Sequence, residues 1–373
     1  MTKILIDCTS LSRKKTGIEN YTEQLCIALK PMLYENGFKP VFLFSHNKPT
    51  WLNEEDEHVI YKGNSTIVLN VFWTPLQLFK IAPVMALFPA FPPSPLVYWL
   101  QKRFGIKIIK IVYDAALWLY PDTLPFKNKV YFKPLESFGI SKYDKIATIS
   151  NSSLSDLVEV FPSVQNKITS IGTSLITRDV VFDVFQPDLD IKNEFFLFVG
   201  TVDTRKNISV ALQAFSEFLC KYPDIKFVIA GRSAWGSKSL GETIKKYKLE
   251  NNVELVGYVD DALLNVLYKK ALAFVFPSVY EGYGLPIIEA MSHGCPVIAS
   301  NNSSIPEAAG GAALLVNDYT KASSWLKAFN EIYDTPNLRK DLILRGRIRI
   351  KNMSWNDVAK KMLGLVADLT RKR

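Results

Sequence analysis

The sequence predicts an α/β protein with two units, each a parallel sheet covered by helices. Short runs rich in Val, Ile and Phe recur along the chain, and they are continuously apolar rather than alternating. Continuous runs are typical of strands that are buried on both faces of a sheet. Segments with helical spacing separate the runs, and 373 residues are enough for two domains with a core each.

The predicted strands fall into two series. The first is Lys3–Cys8, Pro40–Phe44, Thr66–Phe72, Ile106–Tyr113 and Lys145–Ser150. The second is Phe195–Gly200, Lys226–Gly231, Val253–Gly257, Ala273–Pro277 and Pro296–Ser300. Each half of the chain is therefore predicted to form a sheet of its own.

Apolar residues at helical spacing predict the covering helices. In the first half they follow Gly17 and are Ile18, Tyr21, Leu25, Leu29 and Met32. In the second half they are Leu212, Phe215, Phe218 and Leu219. A last helix is predicted from about Trp355 to Arg373, and its pattern alone leaves open which unit it packs against.

A change in character between the halves predicts the domain boundaries. Residues 177–193 are acidic, contain Pro187 and show no clear period, which indicates a linker. The predicted organisation is a first domain at 1–176, this linker, a second domain at 194–350 and a C-terminal helix at 351–373. The apolar stretch from Ile81 to Leu100 contains five prolines, which excludes a membrane-spanning helix and predicts an irregular loop.

Composition narrows the class of protein. With 48% apolar and 22% charged residues the chain is not a disordered polymer. The four cysteines form no CxxC pair and the N-terminus has no signal-peptide layout, so we expect a reducing, cytoplasmic compartment. The three histidines lie far apart, and no metal site is predicted. The formal charge is +9, but no nucleic-acid reader motif accompanies it, so no nucleic-acid partner is predicted.

The segment from Pro277 to Met291 is the most informative for function. It follows a predicted buried strand, places Gly282 and Gly284 where backbone can approach a ligand, and begins a helix near Pro286. The amide-rich, positive end of such a helix suits a diphosphate. Glu281 and Glu289 flank it and could bind sugar hydroxyls, although a solvated loop residue and a helix-start residue are the alternative interpretation.

A second segment adds positive charge. A predicted strand ends at Gly200, and Arg205 and Lys206 stand in the turn before the next helix, where ligands bind in open α/β sheets. The two cations could hold a leaving diphosphate. Taken alone, a solvated basic pair capped by Asn207 explains them better.

In combination, these segments resemble the donor-binding half of the family 4 retaining glycosyltransferases. The resemblance runs from Gly200 to Asp318 through Gly200-Thr201, Arg205-Lys206-Asn207, Gly257-Tyr258-Val259, Pro277-Ser278, the E-x7-E pair Glu281 and Glu289, and Ser304-Ile305-Pro306-Glu307 with Gly310. It extends more thinly into the first half through Thr16-Gly17-Ile18, Tyr113-Asp114, Pro121-Asp122 and Thr148-Ile149-Ser150. Tyr113 stands where many members of the family have histidine.

The resemblance implies the GT-B fold, in which two Rossmann-like domains with parallel sheets face each other across a cleft. The donor would bind the second domain and the acceptor the first, and the last helix would cross back to the first domain. The implied catalytic residues are Arg205, Lys206, Glu281 and Asp114. The implied donor-binding residues are Gly17, Gly200, Tyr258, Val259, Gly282, Tyr283, Gly284, Leu285 and Glu289. No metal or other cofactor is implied beyond the nucleotide-diphosphate sugar that serves as donor substrate.

The resemblance also implies a reaction. A hexose, best matched by mannose from GDP-mannose, would pass with retained configuration to a saccharide acceptor in surface polysaccharide (O-antigen or capsule) synthesis. dTDP-rhamnose and UDP-sugars remain open as donors. A nucleotide-sugar epimerase and an inactive glycan-binding relative are the alternatives from other classes, but the Arg205-Lys206 and Glu281/Glu289 pattern favours transfer over both.

Basic residues around the proline-rich segment suggest where the acceptor comes from. They are Lys102, Arg103, Lys107, Lys110, Lys127, Lys129 and Lys133. A basic and apolar surface suits an anionic leaflet, which predicts peripheral contact with the inner face of the cell membrane and a lipid-linked acceptor. A basic face that contacts only water is the alternative.

Overall fold

The computed structural model describes residues 1–11, 17–126, 128–176, 194–231 and 237–371. The chain divides into two compact units, one formed by Met1–Ile176 with Ser354–Arg373 and the other by Thr177–Met353. The predicted linker at 177–193, Thr16 and Lys127 lie outside the described residues. Each unit is a parallel sheet with covering helices, so the predicted fold class is confirmed.

The first unit has a seven-stranded sheet in the order β3-β2-β1-β4-β5-β6-β7. Its strands are β1 (Thr2–Asp7), β2 (Phe38–Ser45), β3 (Glu57–Tyr61), β4 (Met85–Phe88), β5 (Lys107–Ile111), β6 (Lys145–Thr148) and β7 (Ile168–Ser170). Its helices are α1 (Gly17–Glu35), α2 (Thr66–Val68), α3 (Thr74–Ile81), α4 (Pro95–Phe104), α5 (Ala116–Leu119), α6 (Lys133–Ile140) and α7 (Asn151–Val160). Strand β1 pairs in parallel with both β2 and β4, so Leu5 lies between Val41 and Ala86 at the centre of the sheet.

The predicted strand at Thr66–Phe72 is wrong, because these residues are helical. The hydroxyl of Ser65 caps α2 by accepting a hydrogen bond from the amide of Val68 (3.3 Å), and a π-helical turn at Leu69–Trp73 joins α2 to α3. A short apolar run does not by itself separate a strand from a half-buried helix. Here the Ser65 cap favours the helix over a strand.

The predicted irregular loop between Ile81 and Leu100 is also wrong. It contains β4, which is buried at the sheet centre, and α4. The prolines lie outside the strand, and Pro95 opens α4, where a missing amide proton costs no helical hydrogen bond. None of the helices in the described ranges has the length and apolar character of a bilayer-spanning segment.

The second unit has a six-stranded sheet in the order β10-β9-β8-β11-β12-β13. Its strands are β8 (Phe195–Val199), β9 (Lys226–Ala230), β10 (Val253–Gly257), β11 (Ala273–Phe276), β12 (Val297–Ser300) and β13 (Leu314–Val316). Its helices are α8 (Ile208–Phe218), α9 (Ser237–Lys246), α10 (Asp261–Lys270), α11 (Leu285–Ser292), α12 (Ile305–Ala309), α13 (Ala322–Asp334) and α14 (Pro336–Lys351). All five strands predicted for this half are present, and only β13 is unforeseen.

An aromatic cluster fixes helices α8 and α13 on the second sheet. Phe196 of β8 lies with its ring centroid 4.7 Å from that of Phe329 and 5.5 Å from that of Phe218, and all three side chains are fully buried. Burying each ring removes a large apolar area from water, which contributes about 2 to 3 kcal/mol. This packing holds the sheet rigidly and so fixes the positions from which the loops after its strands begin.

The last helix, α15 (Trp355–Thr370), packs on α1 in the first unit. The Trp355 indole lies 5.0 Å from the ring of Tyr21, edge to face, and donates a hydrogen bond to the carbonyl of Leu175 (2.9 Å). Ser354 caps the helix by accepting a hydrogen bond from the amide of Asn356 (3.1 Å). The apolar stripe of α15, with Ala359 and Met362 fully buried, completes the packing.

Candidate functional site

The candidate site lies at the carboxyl ends of β8 and β11 in the second unit. These neighbouring strands stand where the strand order reverses, because β9 and β10 lie on one side of β8 and β11 to β13 on the other. The loops after two such strands diverge and leave a crevice at their carboxyl ends. The loop after β8 carries Arg205 and Lys206, and the loop after β11 carries Glu281 and the glycines.

Arg205 and Lys206 lie on a short 3-10 turn, Thr204–Lys206, between β8 and α8. The Asp203 carboxylate caps this turn by accepting a hydrogen bond from the amide of Lys206 (3.1 Å). The carbonyl of Arg205 accepts a hydrogen bond from the amide of Val279 (2.8 Å), which joins the turn to the loop after β11. The backbone of the basic turn is therefore fixed by both loops.

The structure brings Lys206 and Glu281 together as an ion pair. Lys206 Nζ lies 2.6 Å from Glu281 Oε1, and the two side chains are only 13% and 12% exposed. The ammonium also lies 5.3 Å from the ring centroid of Phe276, the last residue of β11. The Nε atom of Arg205 is buried and has no hydrogen-bond partner among the described residues. The site thus brings Arg205, Lys206 and the Glu281 carboxylate together on adjacent loops.

The glycine loop leads directly into α11. Gly284 has φ of +102°, and a Cβ added there would lie 3.2 Å from Ile287 Cδ1, so glycine suits both the backbone and the space. Helix α11 begins at Leu285 with Pro286 in its first turn, as the sequence predicts. The positive end of the helix dipole therefore lies at this loop, next to the Lys206–Glu281 pair.

Three polar residues of the loop after β12 hold the backbone of the Glu281 loop. The amide of Glu281 donates to Ser303 Oγ (3.2 Å), and its carbonyl accepts from the hydroxyls of Ser303 (2.7 Å) and Ser304 (2.8 Å). Asn302 donates to the carbonyl of Val279. Of these three residues, only Ser304 belongs to a motif that the sequence offers, and Asn302 and Ser303 were not predicted.

Arg349 supports the glycine loop from α14 and was likewise not predicted. Its guanidinium donates to the hydroxyl of Tyr283 (3.1 Å) and to the carbonyls of Glu307 (2.8 Å) and Ala308 (3.3 Å). Tyr283 is 5% exposed, and burial raises the pKa of its hydroxyl. Gly310 gives the arginine its space, since a Cβ there would lie 2.7 Å from Arg349 Cδ.

The remaining donor-binding candidates lie around this centre. Glu289 is half-buried in the second turn of α11. Gly200 and Gly231 follow the neighbouring strands β8 and β9, and Gly257 is the last residue of β10. A Cβ on Gly231 would lie 2.0 Å from the carbonyl oxygen of Gly200. Tyr258 is 65% exposed and Val259 is half-buried, both directly after β10 at the edge of the sheet.

The candidates of the first half lie in the first unit. Gly17 is the exposed first residue of α1. The Asp114 carboxylate accepts a hydrogen bond from the amide of Ala116 (2.8 Å) at the start of α5. Tyr113 packs edge to face on Tyr21, with ring centroids 5.4 Å apart, and burial raises the pKa of its hydroxyl. The roles of Gly17 and Asp114 in the reaction stay predictions.

The basic surface predicted in the first unit is smaller than expected. Lys110 is buried, and its ammonium donates a hydrogen bond to the carbonyl of Ala90 (3.1 Å). Burial lowers the pKa of this ammonium. Lys107 pairs with Asp144 and Lys129 with Asp122, each at 3.0 Å. Lys102 and Arg103 are exposed on α4.

The comparison with protein families agrees with this geometry. Residues 181–349, nearly the whole second unit, match the family described as "Glycosyl transferases group 1". Residues 181–349 are therefore a group 1 glycosyltransferase domain. The Lys206–Glu281 pair and the glycine loop both lie inside the matched range.

Proteins similar to this chain include two named mannosyltransferases. It is 29% identical over 263 residues to the O-antigen chain mannosyltransferase B of Escherichia coli, covering 67% of this chain and 68% of that one. It is 29% identical over 225 residues to the O-antigen chain mannosyltransferase RfbU of Salmonella typhimurium, covering 60% of each. The second alignment thus spans less than two thirds of that relative's length.

A solved structure shares the fold of both units. The HepE protein of Anabaena, in complex with UDP and glucose, matches 99% of this chain and all of its own with a TM-score of 0.70 at 15% identity. At that identity the likeness concerns the fold alone. Together with the two parallel sheets, it confirms the GT-B type that the sequence predicts for the glycosyltransferase.

Proposed function

We propose that this glycosyltransferase moves a hexose from a nucleotide-diphosphate sugar to a saccharide acceptor, with retained anomeric configuration and without a metal ion. The observation that carries the proposal is the meeting of Lys206 and Glu281 at 2.6 Å beside the start of α11. This arrangement offers cations and a helix dipole to a diphosphate, and a carboxylate to sugar hydroxyls.

The chemistry assigned to the site begins with cleavage of the bond between the anomeric carbon and the diphosphate oxygen. Positive charge develops on the sugar and negative charge on the leaving group. Arg205, Lys206 and the amides of the 282–286 loop would stabilise the leaving group, and one well-placed donor of this kind is worth about 3 to 4 kcal/mol. Because these groups themselves supply positive charge, the proposed reaction requires no metal ion.

Retention would follow from attack on the same face of the sugar. The acceptor hydroxyl oxygen bonds to the anomeric carbon, and the departing phosphate oxygen takes the hydroxyl proton, so the products are the glycoside and the nucleoside diphosphate. No side-chain nucleophile is assigned. Glu281 would bind the transferred sugar, Glu289 the ribose, and Tyr258 with Val259 the base.

GDP-mannose is the proposed donor and mannose the transferred sugar, and the similarity to the two mannosyltransferases supports this choice. UDP-sugars are the second candidate, since the structural neighbour binds UDP and glucose. dTDP-rhamnose is a third. A saccharide acceptor linked to a lipid at the inner face of the cell membrane completes the proposal, within the synthesis of a surface polysaccharide.

A thermal-shift screen against GDP-, UDP- and dTDP-sugars tests the donor. A ligand that binds only the folded protein at 100 times its Kd stabilises it by about 2.7 kcal/mol and raises the melting temperature. We expect GDP-mannose to give the largest shift, and Glu289→Ala to reduce the shift because the ribose contact is lost. A shift with none of the nucleotide sugars would overturn the proposed function.

A further inference from the structure

The helices before and after β4 expose large apolar side chains. Phe72 is 62% exposed, Phe79 58% and Trp99 59%. Six of these side chains are called the apolar face below, and they are Phe72, Leu76, Phe79, Leu96, Trp99 and Phe104. Exposed apolar residues are ordinary when they are single, but a contiguous group marks a surface that something covers.

The apolar face is contiguous because its residues follow helical spacing on two packed helices. Phe72, Leu76 and Phe79 are four and three residues apart, and so lie on one side of the segment that ends in α3. Leu96 and Trp99 repeat this on α4, and the rings of Phe79 and Phe104 join the helices with centroids 5.8 Å apart. The opposite sides of both helices, with Leu78, Val97 and Leu100, are already buried in the core. Each helix is therefore apolar on two sides.

The charged side chains that the two helices of the apolar face carry all have one sign. No aspartate or glutamate stands between Glu57 and Asp114. Lys80, in the last turn of α3, and Lys102 and Arg103, in the last turn of α4, are exposed. The Arg103 guanidinium lies 5.5 Å from the ring centroid of Phe104, so cation and apolar surface are contiguous.

We propose that the apolar face docks on an anionic membrane surface, with Phe79 and Trp99 in the boundary between headgroups and acyl chains and the cations on the headgroups. Aromatic residues flanked by lysine and arginine are suited to that boundary. A second copy of the chain fits less well, because a symmetric contact would place the cations of both copies together. The inference rests on the proposed function in one respect, that a lipid-linked acceptor is presented at such a surface.

Co-sedimentation with vesicles tests the role of the apolar residues. The full chain is mixed with vesicles of phosphatidylcholine alone or with about a third phosphatidylglycerol, and Phe79→Ser combined with Trp99→Ser is compared with wild type. We expect binding to the anionic vesicles and a loss of at least about tenfold in the variant. Leu344→Ser with Ile348→Ser is the matched control, since these residues of α14 are 58% and 55% exposed in the second unit.

Charge reversal tests the cations separately. Lys102→Glu with Arg103→Glu should weaken anionic-vesicle binding by at least about tenfold, and added salt should weaken wild-type binding. Lys269→Glu with Lys270→Glu is the control, because it changes the same two charges in the last turn of a ten-residue helix of the second unit. Equal binding by wild type and both apolar-face variants, or no binding by wild type, would overturn the inference.

Two further measurements keep this inference distinct from the proposed function. Sugar transfer to a water-soluble acceptor and the thermal shift with nucleotide sugar should be unchanged in Phe79→Ser with Trp99→Ser. If sugar transfer and the thermal shift are unchanged but the wild-type protein does not co-sediment with vesicles, the docking surface is wrong and the transferase assignment stands. If sedimentation velocity without lipid shows a dimer that this variant abolishes, and vesicle binding is unaffected, the apolar face is a contact between copies instead.

Discussion

Lys206 Nζ and Glu281 Oε1 lie 2.6 Å apart, although 75 residues separate them in the chain. Each follows a different central strand, so the pair joins the two loops that form the site. Because both side chains are nearly buried, removing one partner leaves the other charge poorly compensated. The pair therefore fixes the position of the carboxylate and stabilises the loops, in addition to any contact with a donor.

Alanine substitution of the charged residues tests their part in transfer. Arg205→Ala, Lys206→Ala and Glu281→Ala should each lower kcat/KM by at least about 100-fold, with a smaller loss of nucleotide affinity, if they act on the transition state. Steady-state kinetics and nucleotide titration measure the two effects. Lys221→Ala removes an exposed ion pair with Asp334 in the same unit and should leave both unchanged. Full activity in any two of the three variants would contradict the assigned roles.

Substitution of Gly231 tests whether the backbone after β9 must lie in close contact with the backbone after β8. In Gly231→Ala the new methyl would meet the Gly200 carbonyl oxygen at 2.0 Å, at a φ of +148°, so we expect the variant to lose at least about 2 kcal/mol of stability and most of its nucleotide affinity. Gly257→Ala is the control, with a φ of +68° and no atom within 4 Å of the added Cβ. Denaturant unfolding and nucleotide titration should separate the two. Equal losses would show that the close contact is unimportant.

The second unit and the centre of its site are well predicted from the sequence because both depend on local patterns. Buried strands are continuous runs, and the glycines with Pro286 define the turn into α11 within a few residues. Ser303 and Arg349 could not be predicted, because they reach the site from other loops and helices and carry no motif. The wrong predictions at 66–72 and 81–100 have a related cause. Both segments are apolar, and an apolar run alone does not tell a strand from a helix or a loop.

Arg349 is expected to act as a positioning residue for the glycine loop. Arg349→Met removes charged hydrogen bonds to Tyr283, Glu307 and Ala308, so we expect a loss of about 1.5 to 3 kcal/mol in unfolding free energy and a lower kcat/KM. Tyr283→Phe removes only one of these bonds and should cost about 1 kcal/mol. Unfolding curves, together with the affinity for nucleotide sugar, measure the effects. An Arg349→Met protein with unchanged nucleotide affinity and kinetics would limit the arginine to stability.

The buried ion pair between Lys30 and Asp56 predicts how stability depends on pH. Lys30 Nζ lies 2.7 Å from Asp56 Oδ2, with side-chain exposures of 14% and 5%. Burial favours the protonated carboxyl, but hydrogen bonds from Lys30, from the amide of Asn53 and from the hydroxyl of Tyr34 outweigh it, so the pKa of Asp56 is lowered. The carboxylate thus stabilises the folded chain wherever it is ionised.

The sign of the effect follows from this lowered pKa. The stabilisation is complete above the unfolded pKa of about 3.9 and is lost as the pH falls through the lower folded pKa. At pH 7, Asp56→Asn should reduce the unfolding free energy by about 3 kcal/mol, because Lys30 remains buried without its counter-charge, and the deficit should shrink below about pH 4. Glu57→Gln is the control, since its pairs with Lys3 and Lys39 are 31% to 39% exposed and should each contribute less than about 1 kcal/mol. Denaturant unfolding at pH 7 and at acid pH decides between them, and a deficit for Asp56→Asn that grows on acidification would refute the assignment.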